Sequence, residues 1–193
     1  MKTLRLTGRL IINLLSVVLA FNCSGMQEST ETIRFYVGSS DGSLEYAIYL
    51  CELDPVNEKF SVLDSFSGAK GPSYLDFSPD RRTLYSINNE VSDPDKNQMS
   101  VSSFRINRDN LGLEFLNSQS SEGNGPCHIH CSSKGDYLFT ANYSSGHVAS
   151  FPVSEDGRIE PASSVVIGEG TGPDLNRQGG PHAHQVMLDP DGN

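Results

Sequence analysis

An all-β fold assembled from propeller blades is what this sequence predicts, on three observations. Three segments share one pattern: "GPSYLDFSPDRRTLYSINN" from Gly71, "GPCHIHCSSKGDYLFTANY" from Gly125 and "GPHAHQVMLDPDGN" from Gly180. Their turn residues Pro79, Ser133 and Pro190 recur at intervals of 54 and 57 residues, a period that suits a blade of four antiparallel strands. Between the turns, apolar and polar residues alternate with the period of two of a half-buried strand. After position 25 no long stretch carries apolar residues at helical spacing, and 18 glycines and 10 prolines supply turns.

Residues 1–23 read as a signal peptide. Lys2, Arg5 and Arg9 precede the apolar run "LIINLLSVVLAF", which is too short for the ~20 residues of a membrane span but suits a signal core. Cys23 follows it, placed as a lipoprotein acylation site would be, although Phe21 and Asn22 stand where small residues are usual. Residues 24–31 form a polar, flexible tether, and residues 32–193 form a partial propeller. Its first unit, residues 32–68, offers three strands, "IRFYVGS", "AIYLCEL" and "FSVLDSF", matching the second to fourth strands of a blade. The second unit offers "SYLDF", "TLYSIN", "MSVSSFRI" and "LEFLNSQ"; the third offers "CHIHC", "YLFTANY", "HVASFPV" and "ASSVVIG". The segment from Gly180 should open a fourth. The Trp-Asp signature of one propeller class is missing, since the chain has no Trp.

"GPCHIHC" holds two cysteines and two histidines, the usual zinc ligand types. In a strand, successive side chains point to opposite faces. Cys127, Ile129 and Cys131 then share one face and His128 and His130 the other. The repeat equates Ile129 with Leu75 and Val186, and Cys131 with Phe77 and Leu188, so Cys131 is expected as a small buried hydrophobe. Four side chains split between two faces do not converge on one ion, and no metal is expected. Cys127 and Cys131, ~13 Å apart along a strand, are too distant for a disulfide. The net charge of −10 and pI near 4.8 argue against a nucleic-acid partner, whose phosphates call for clustered Lys and Arg.

The repeat, with "PCHIHCSSKGDYLFTANYSSGHVASFPVSEDGRI" and "GTGPDLNRQGGPHAHQVMLDPDG", resembles the lactonase family of seven-bladed β-propellers, which includes bacterial 6-phosphogluconolactonase and the fungal carboxymuconate lactonizing enzymes. "NRQGGPHAH" and "LFTANYSSG" carry most of the likeness. The resemblance implies an N-terminal portion of about three to three and a half blades, a metal-free lactone hydrolase of the 6-phosphogluconolactonase type without cofactor, converting 6-phosphogluconolactone and water to 6-phosphogluconate, and a sugar lactone as small-molecule partner. It implies a site at one mouth of the central channel with Arg177, His182 and His184 as catalytic residues and His128 and Asn142 as substrate-binding neighbours. The residue types suit the chemistry: lactone hydrolysis needs a base for water and a donor for the oxyanion, and an arginine fork fits an anionic group. His130 and His147 are expected to be structural or solvated, and Asn142 could equally cap a turn. Glu90, in the "NNE" of the earlier repeat, could stand near the channel.

The sequence departs from the family pattern in two places. Gly168 stands where members often carry a histidine, and the later Arg and Glu of a "GPRH … NE" pattern have no counterpart here. A carboxymuconate-type cycloisomerase and a non-catalytic extracytoplasmic binding propeller are the alternatives. An exported enzyme would rarely meet a sugar phosphate, which makes an unphosphorylated lactone a reasonable substrate. A lipidated Cys23 would anchor the protein to a bacterial envelope membrane.

Overall fold

The computed structural model describes residues 31–93 and 98–189. The expected signal segment, Cys23 and nearly all of the tether lie outside the described residues. Those residues hold eleven strands and no helix. The first sheet has three strands: β1 (Ile33–Gly38), β2 (Tyr46–Asp54) and β3 (Lys59–Ser67). The second has four: β4 (Pro72–Phe77), β5 (Thr83–Asp93), β6 (Gln98–Ile106) and β7 (Leu113–Ser120). The third repeats it with β8 (Pro126–Cys131), β9 (Tyr137–Asn142), β10 (His147–Pro152) and β11 (Ser164–Ile167). Each strand pairs antiparallel with its chain neighbour. The strand order expected for all three units is therefore found, including the three-stranded first unit.

The recurrent turn has a chemical basis. Ser78 N–H donates to Thr83 O at 2.9 Å, Thr83 N–H donates to Ser78 Oγ at 3.0 Å, and Ser78 Oγ donates to Asp80 at 2.7 Å. Ser132 repeats the pattern with Tyr137 and Asp136. A serine hydroxyl that both donates and accepts closes the hairpin, and this recurs where the sequence repeats.

Alternation assigns the core. Along β5, Leu84 joins Ile48, Ala69, Phe104 and Ile106 between the first two sheets. The next residue, Tyr85, joins Ile87, Val101, Ile129, Leu138 and Phe151 between the second and third. Each Leu, Ile, Val or Phe among them contributes roughly 1.5–3 kcal/mol on full burial. Cys131 packs in the second cluster, as its repeat position predicts. At the two ends of the stack, Ile33, Phe60 and Val62 on one side and Tyr137, Val166 and Ile167 on the other remain exposed.

Two expectations need correction. Cys127 does not share the core face of Ile129. The β8–β9 ladder passes from Pro126↔Asn142 to His128↔Ala141, so Cys127 sits in a bulge, which breaks the two-residue alternation. The segment from Pro181 to Asp189 is also not a strand; the described residues offer it no ladder partner, and a strand forms only when its backbone groups are paired.

Candidate functional site at one mouth of the sheets

β4 and β8 lie side by side as the inner strands. Both begin at the end of the sheets that also carries the β9–β10 turn. Tyr143 N–H donates to Gly125 O at 2.7 Å and Ser144 N–H to Asn124 O at 3.1 Å, which joins that turn to the approach to β8. The chain from Gly168 to His184 crosses this platform. Pro181 rests on two glycines: a Cβ on Gly146 would lie 2.6 Å from Pro181 O, and one on Gly168 would lie 2.8 Å from Pro181 Cγ. No larger residue leaves room for this crossing.

The crossing brings two of the expected residues, His182 and His184, onto Tyr143 and a third, Arg177, onto His182 through its backbone. The His182 ring stacks on Tyr143 with centroids 4.5 Å apart and planes 14° apart, and His184 meets the same ring edge-on at 5.6 Å. His182 Nδ1 lies 2.9 Å from Tyr143 O and Nε2 lies 3.0 Å from Arg177 O. The Arg177 backbone is thus drawn to the cluster, and its exposed guanidinium has no ion-pair partner among the described residues. Cys127 Sγ donates to His184 O at 3.1 Å, with the carbonyls of Ala183 and Ala141 at 3.5 and 3.6 Å. Burial pushes the Cys127 thiol above its ordinary range, so it stays protonated as a donor.

His128 stands on the inner strand with its ring 4.4 Å from Tyr74 of β4. It is 7% exposed, and its buried Nδ1 has no hydrogen-bond partner among the described residues. Loss of water around the ring lowers its pKa, helped by the neighbouring His130 and His184 and opposed by Asp76. His130 Nδ1 lies 3.4 Å from Asp76 Oδ2, which also accepts the Cys131 N–H at 2.9 Å. The histidine motif therefore disperses: Cys127 holds the 183–184 backbone, His128 meets Tyr74, His130 meets Asp76, and Cys131 enters the core.

Asn142 is fully buried. Its Nδ2 donates to Ser121 O at 2.9 Å and to His147 O at 3.4 Å, so it ties the turns of the platform together. His147 Nδ1 faces Glu122 O at 2.8 Å in the same frame. Glu90 is exposed and pairs with Lys70 at 3.7 Å. Sequence reasoning did not single out Tyr143 or Asp76, which contact these histidines, and it weighed Cys127 only as a metal ligand or disulfide partner. Tyr143 alone left a signal, as the residue after Asn142 in "TANYSSG".

A cavity of about 670 Å³ lies at the opposite ends of the strands, among Pro79, Arg82, Tyr85, Arg108, Lys134 and Asp156. Its cations are matched there by Asp80, Asp136, Glu155 and Asp156. Histidines do not line it, and the mouth with Tyr143 remains the candidate site.

Comparison with known proteins agrees with this architecture. The family described as "Lactonase, 7-bladed beta-propeller" matches residues 34–193. A 6-phosphogluconolactonase of Bacillus subtilis is 34% identical over 158 residues, covering 82% of this chain and 44% of the relative. A 6-phosphogluconolactonase of Formosa agariphila is 24% identical over 150 residues, covering 77% and 42%. Among solved structures, a periplasmic gluconolactonase of Pseudomonas aeruginosa is 28% identical with a TM-score of 0.74, covering 84% of this chain and 46% of that one. The chain thus spans less than half the length of these relatives.

Proposed function

The chain belongs to the lactonase family of seven-bladed β-propellers, and from that premise we propose that its protein opens a sugar lactone with water, giving the free hydroxy acid. The observation that carries this reading is the convergence of His182 and His184 on Tyr143, with the Arg177 loop joined to His182, at the mouth of the inner strands. Water adds to the lactone carbonyl carbon, the ring C–O bond breaks, and the ring oxygen leaves as the new hydroxyl. The water proton has to be taken up, and a neutral imidazole is the group for it. His184 has a ring that donates no hydrogen bond among the described residues. Burial lowers the pKa of His128, which favours its neutral form. The Arg177 guanidinium supplies positive charge for the oxyanion or for an anionic group on the sugar. Asn142, being fully buried, serves by holding the platform beneath the substrate. No metal or cofactor enters this reading.

The substrate is an unphosphorylated lactone of the gluconolactone kind. Two things support that choice over the phosphate ester: the signal-like residues 1–23, and the periplasmic gluconolactonase among similar structures. In the same reading Cys23 carries the lipid anchor.

The test is proton release on mixing the purified full-length gene product with glucono-1,5-lactone and with its 6-phosphate. The plain lactone should open well above the uncatalysed rate, and His184→Ala should lower kcat by about 100-fold at unchanged Tm. Hydrolysis of neither lactone would dispose of the reading. Export is tested apart from it: the protein should fractionate with membranes and Cys23→Ser should release it, whereas a soluble cytoplasmic wild type retaining Met1 would refute the anchor.

A further inference from the structure

We infer that His182 is a positioning residue: it ties the Arg177 loop to the end of β9 and so fixes where the guanidinium stands. The inference deepens the lactone site proposed above, and its kinetic part rests on that reading.

Both ring nitrogens of His182 end on carbonyl oxygens, Nδ1 on Tyr143 at 2.9 Å and Nε2 on Arg177 at 3.0 Å. Both nitrogens are therefore turned onto backbone oxygens of the protein, and neither is left facing the space above the mouth where water would react. Stacking at 14° on Tyr143 fixes the ring plane, so the two ring nitrogens point in set directions. Those directions join unlike partners. Tyr143 follows a buried strand and is bonded to Gly125. Arg177 belongs to a loop whose own bonds are internal: Gly172 N–H to Gln178 O at 2.8 Å, and Arg177 N–H and Gln178 N–H to Asp174 O at 3.0 and 2.6 Å. Such bonds shape a loop without placing it. His182 places it, by linking the Arg177 carbonyl to the sheet.

The neighbouring contacts act in the same direction. Pro181 is seated on Gly146 and Gly168, and Cys127 Sγ holds the His184 carbonyl. Residues 181–184 are thus held at three successive points. His184 differs from His182, because its ring meets Tyr143 only by its edge, at 88°. The two histidines of "PHAH" then divide the work, His182 fixing the arginine and His184 remaining open to the reacting water.

The decisive variant is His182→Phe in the full-length gene product, which keeps an aromatic ring for the Tyr143 stack and removes both ring nitrogens. Hydrogen exchange of the amides in 171–180, read by mass spectrometry, should quicken about tenfold, the scale of one to two net hydrogen bonds. On glucono-1,5-lactone, KM should rise about tenfold while kcat stays within about twofold; His184→Ala should show the reverse split. Wild-type exchange in His182→Phe, or a fall in kcat at unchanged KM, overturns the assignment. If wild-type protein opens no lactone, the lactone reading falls on its own, and the exchange result alone decides whether His182 holds the loop.

Discussion

Replacing Gly146 by alanine separates two costs that the mouth imposes on one residue. Its φ is +70°, a left-handed conformation that costs a residue with a Cβ about 1–2 kcal/mol. The added Cβ would also lie 2.6 Å from Pro181 O and 2.8 Å from Pro181 Cγ. Relief requires Pro181 to move by several tenths of an ångström, and forced repacking of this kind costs typically ~1–3 kcal/mol. Against these stands about 0.4–1 kcal/mol gained because alanine restricts the unfolded chain. The net expectation is a loss of roughly 2–4 kcal/mol. Two controls divide it. Gly170 has φ +115° with nothing within 4 Å of the added Cβ, so alanine there meets backbone strain only. Gly42 has open space and no left-handed φ, so alanine there should be neutral or slightly stabilising. Urea midpoints at constant m-value should rank Gly42→Ala above Gly170→Ala above Gly146→Ala. Only the last should also impair turnover, because Pro181 precedes His182 and a displacement approaching 1 Å can cost about 100-fold. If Gly146→Ala unfolds within about 0.5 kcal/mol of Gly42→Ala, the range of ordinary surface substitutions, the packing argument for the mouth is wrong.

Three further outcomes are expected. Asn142→Ala should cost about 1–3 kcal/mol by leaving the Ser121 and His147 carbonyls without their buried donor, measured by urea unfolding; an unchanged midpoint would remove Asn142 from the frame. Burial holds the pKa of His128 below its usual 6.5, so as pH falls through 6.5 the unfolded chain binds the proton first. Stability should therefore decline from pH 6.5 downward, and His128→Phe should flatten that decline; an identical pH dependence in the variant would refute the burial. Burial pushes the Cys131 thiol up to about 12 and raises that of Cys127. At pH 8 iodoacetamide should leave Cys131 unmodified until unfolding and label Cys127 more slowly than a free thiol; native labelling of Cys131 at the free rate would contradict its place in the core.

The sheets were legible because strand periodicity is local. The alternation that sends Leu84 to one interface and Tyr85 to the next is written in adjacent letters, and the serine that closes each hairpin recurs with the repeat. Two features were not legible in that way. The bulge at Cys127 depends on the register with β9, a property of two strands that one strand's pattern does not carry. The extended look of "HAHQVML" was read as a strand because its spacing fits, yet ladder pairing takes a partner, and among the described residues it has none. The grouping of His182, His184 and Arg177 was reached through resemblance. Their attachment to Tyr143 depends on a crossing of the chain over the β9–β10 turn, and no local pattern encodes that.

A comparison of the second and third sheets shows what changed where the site was built. Asn88 and Asn142 hold the same place, opposite Pro72 and Pro126. In the second sheet Asn88 has a hydroxyl shell: its Oδ1 accepts from Ser86, and its Nδ2 donates to Ser100 and Ser102. In the third sheet the ladder places His147 where Ser100 stands and Ala149 where Ser102 stands, with Thr140 in place of Ser86. Asn142 therefore loses its side-chain partners, turns its amide to the Ser121 and His147 carbonyls, and leaves Oδ1, like the Thr140 hydroxyl, without a partner among the described residues. A buried oxygen without a donor costs stability, so the second sheet is the better-satisfied version of the same blade. What the third sheet has in exchange is a link from Asn142 through His147 to the turns beneath Tyr143. Restoring the hydroxyls by His147→Ser with Ala149→Ser should then stabilise the third sheet, because the new hydroxyls accept from Asn142 Nδ2 and let its Oδ1 turn to accept from Thr140, while loosening the platform under His182 and His184. If the double variant gains stability and hydrolyses lactone as well as the wild type, the platform role of His147 and Asn142 is refuted.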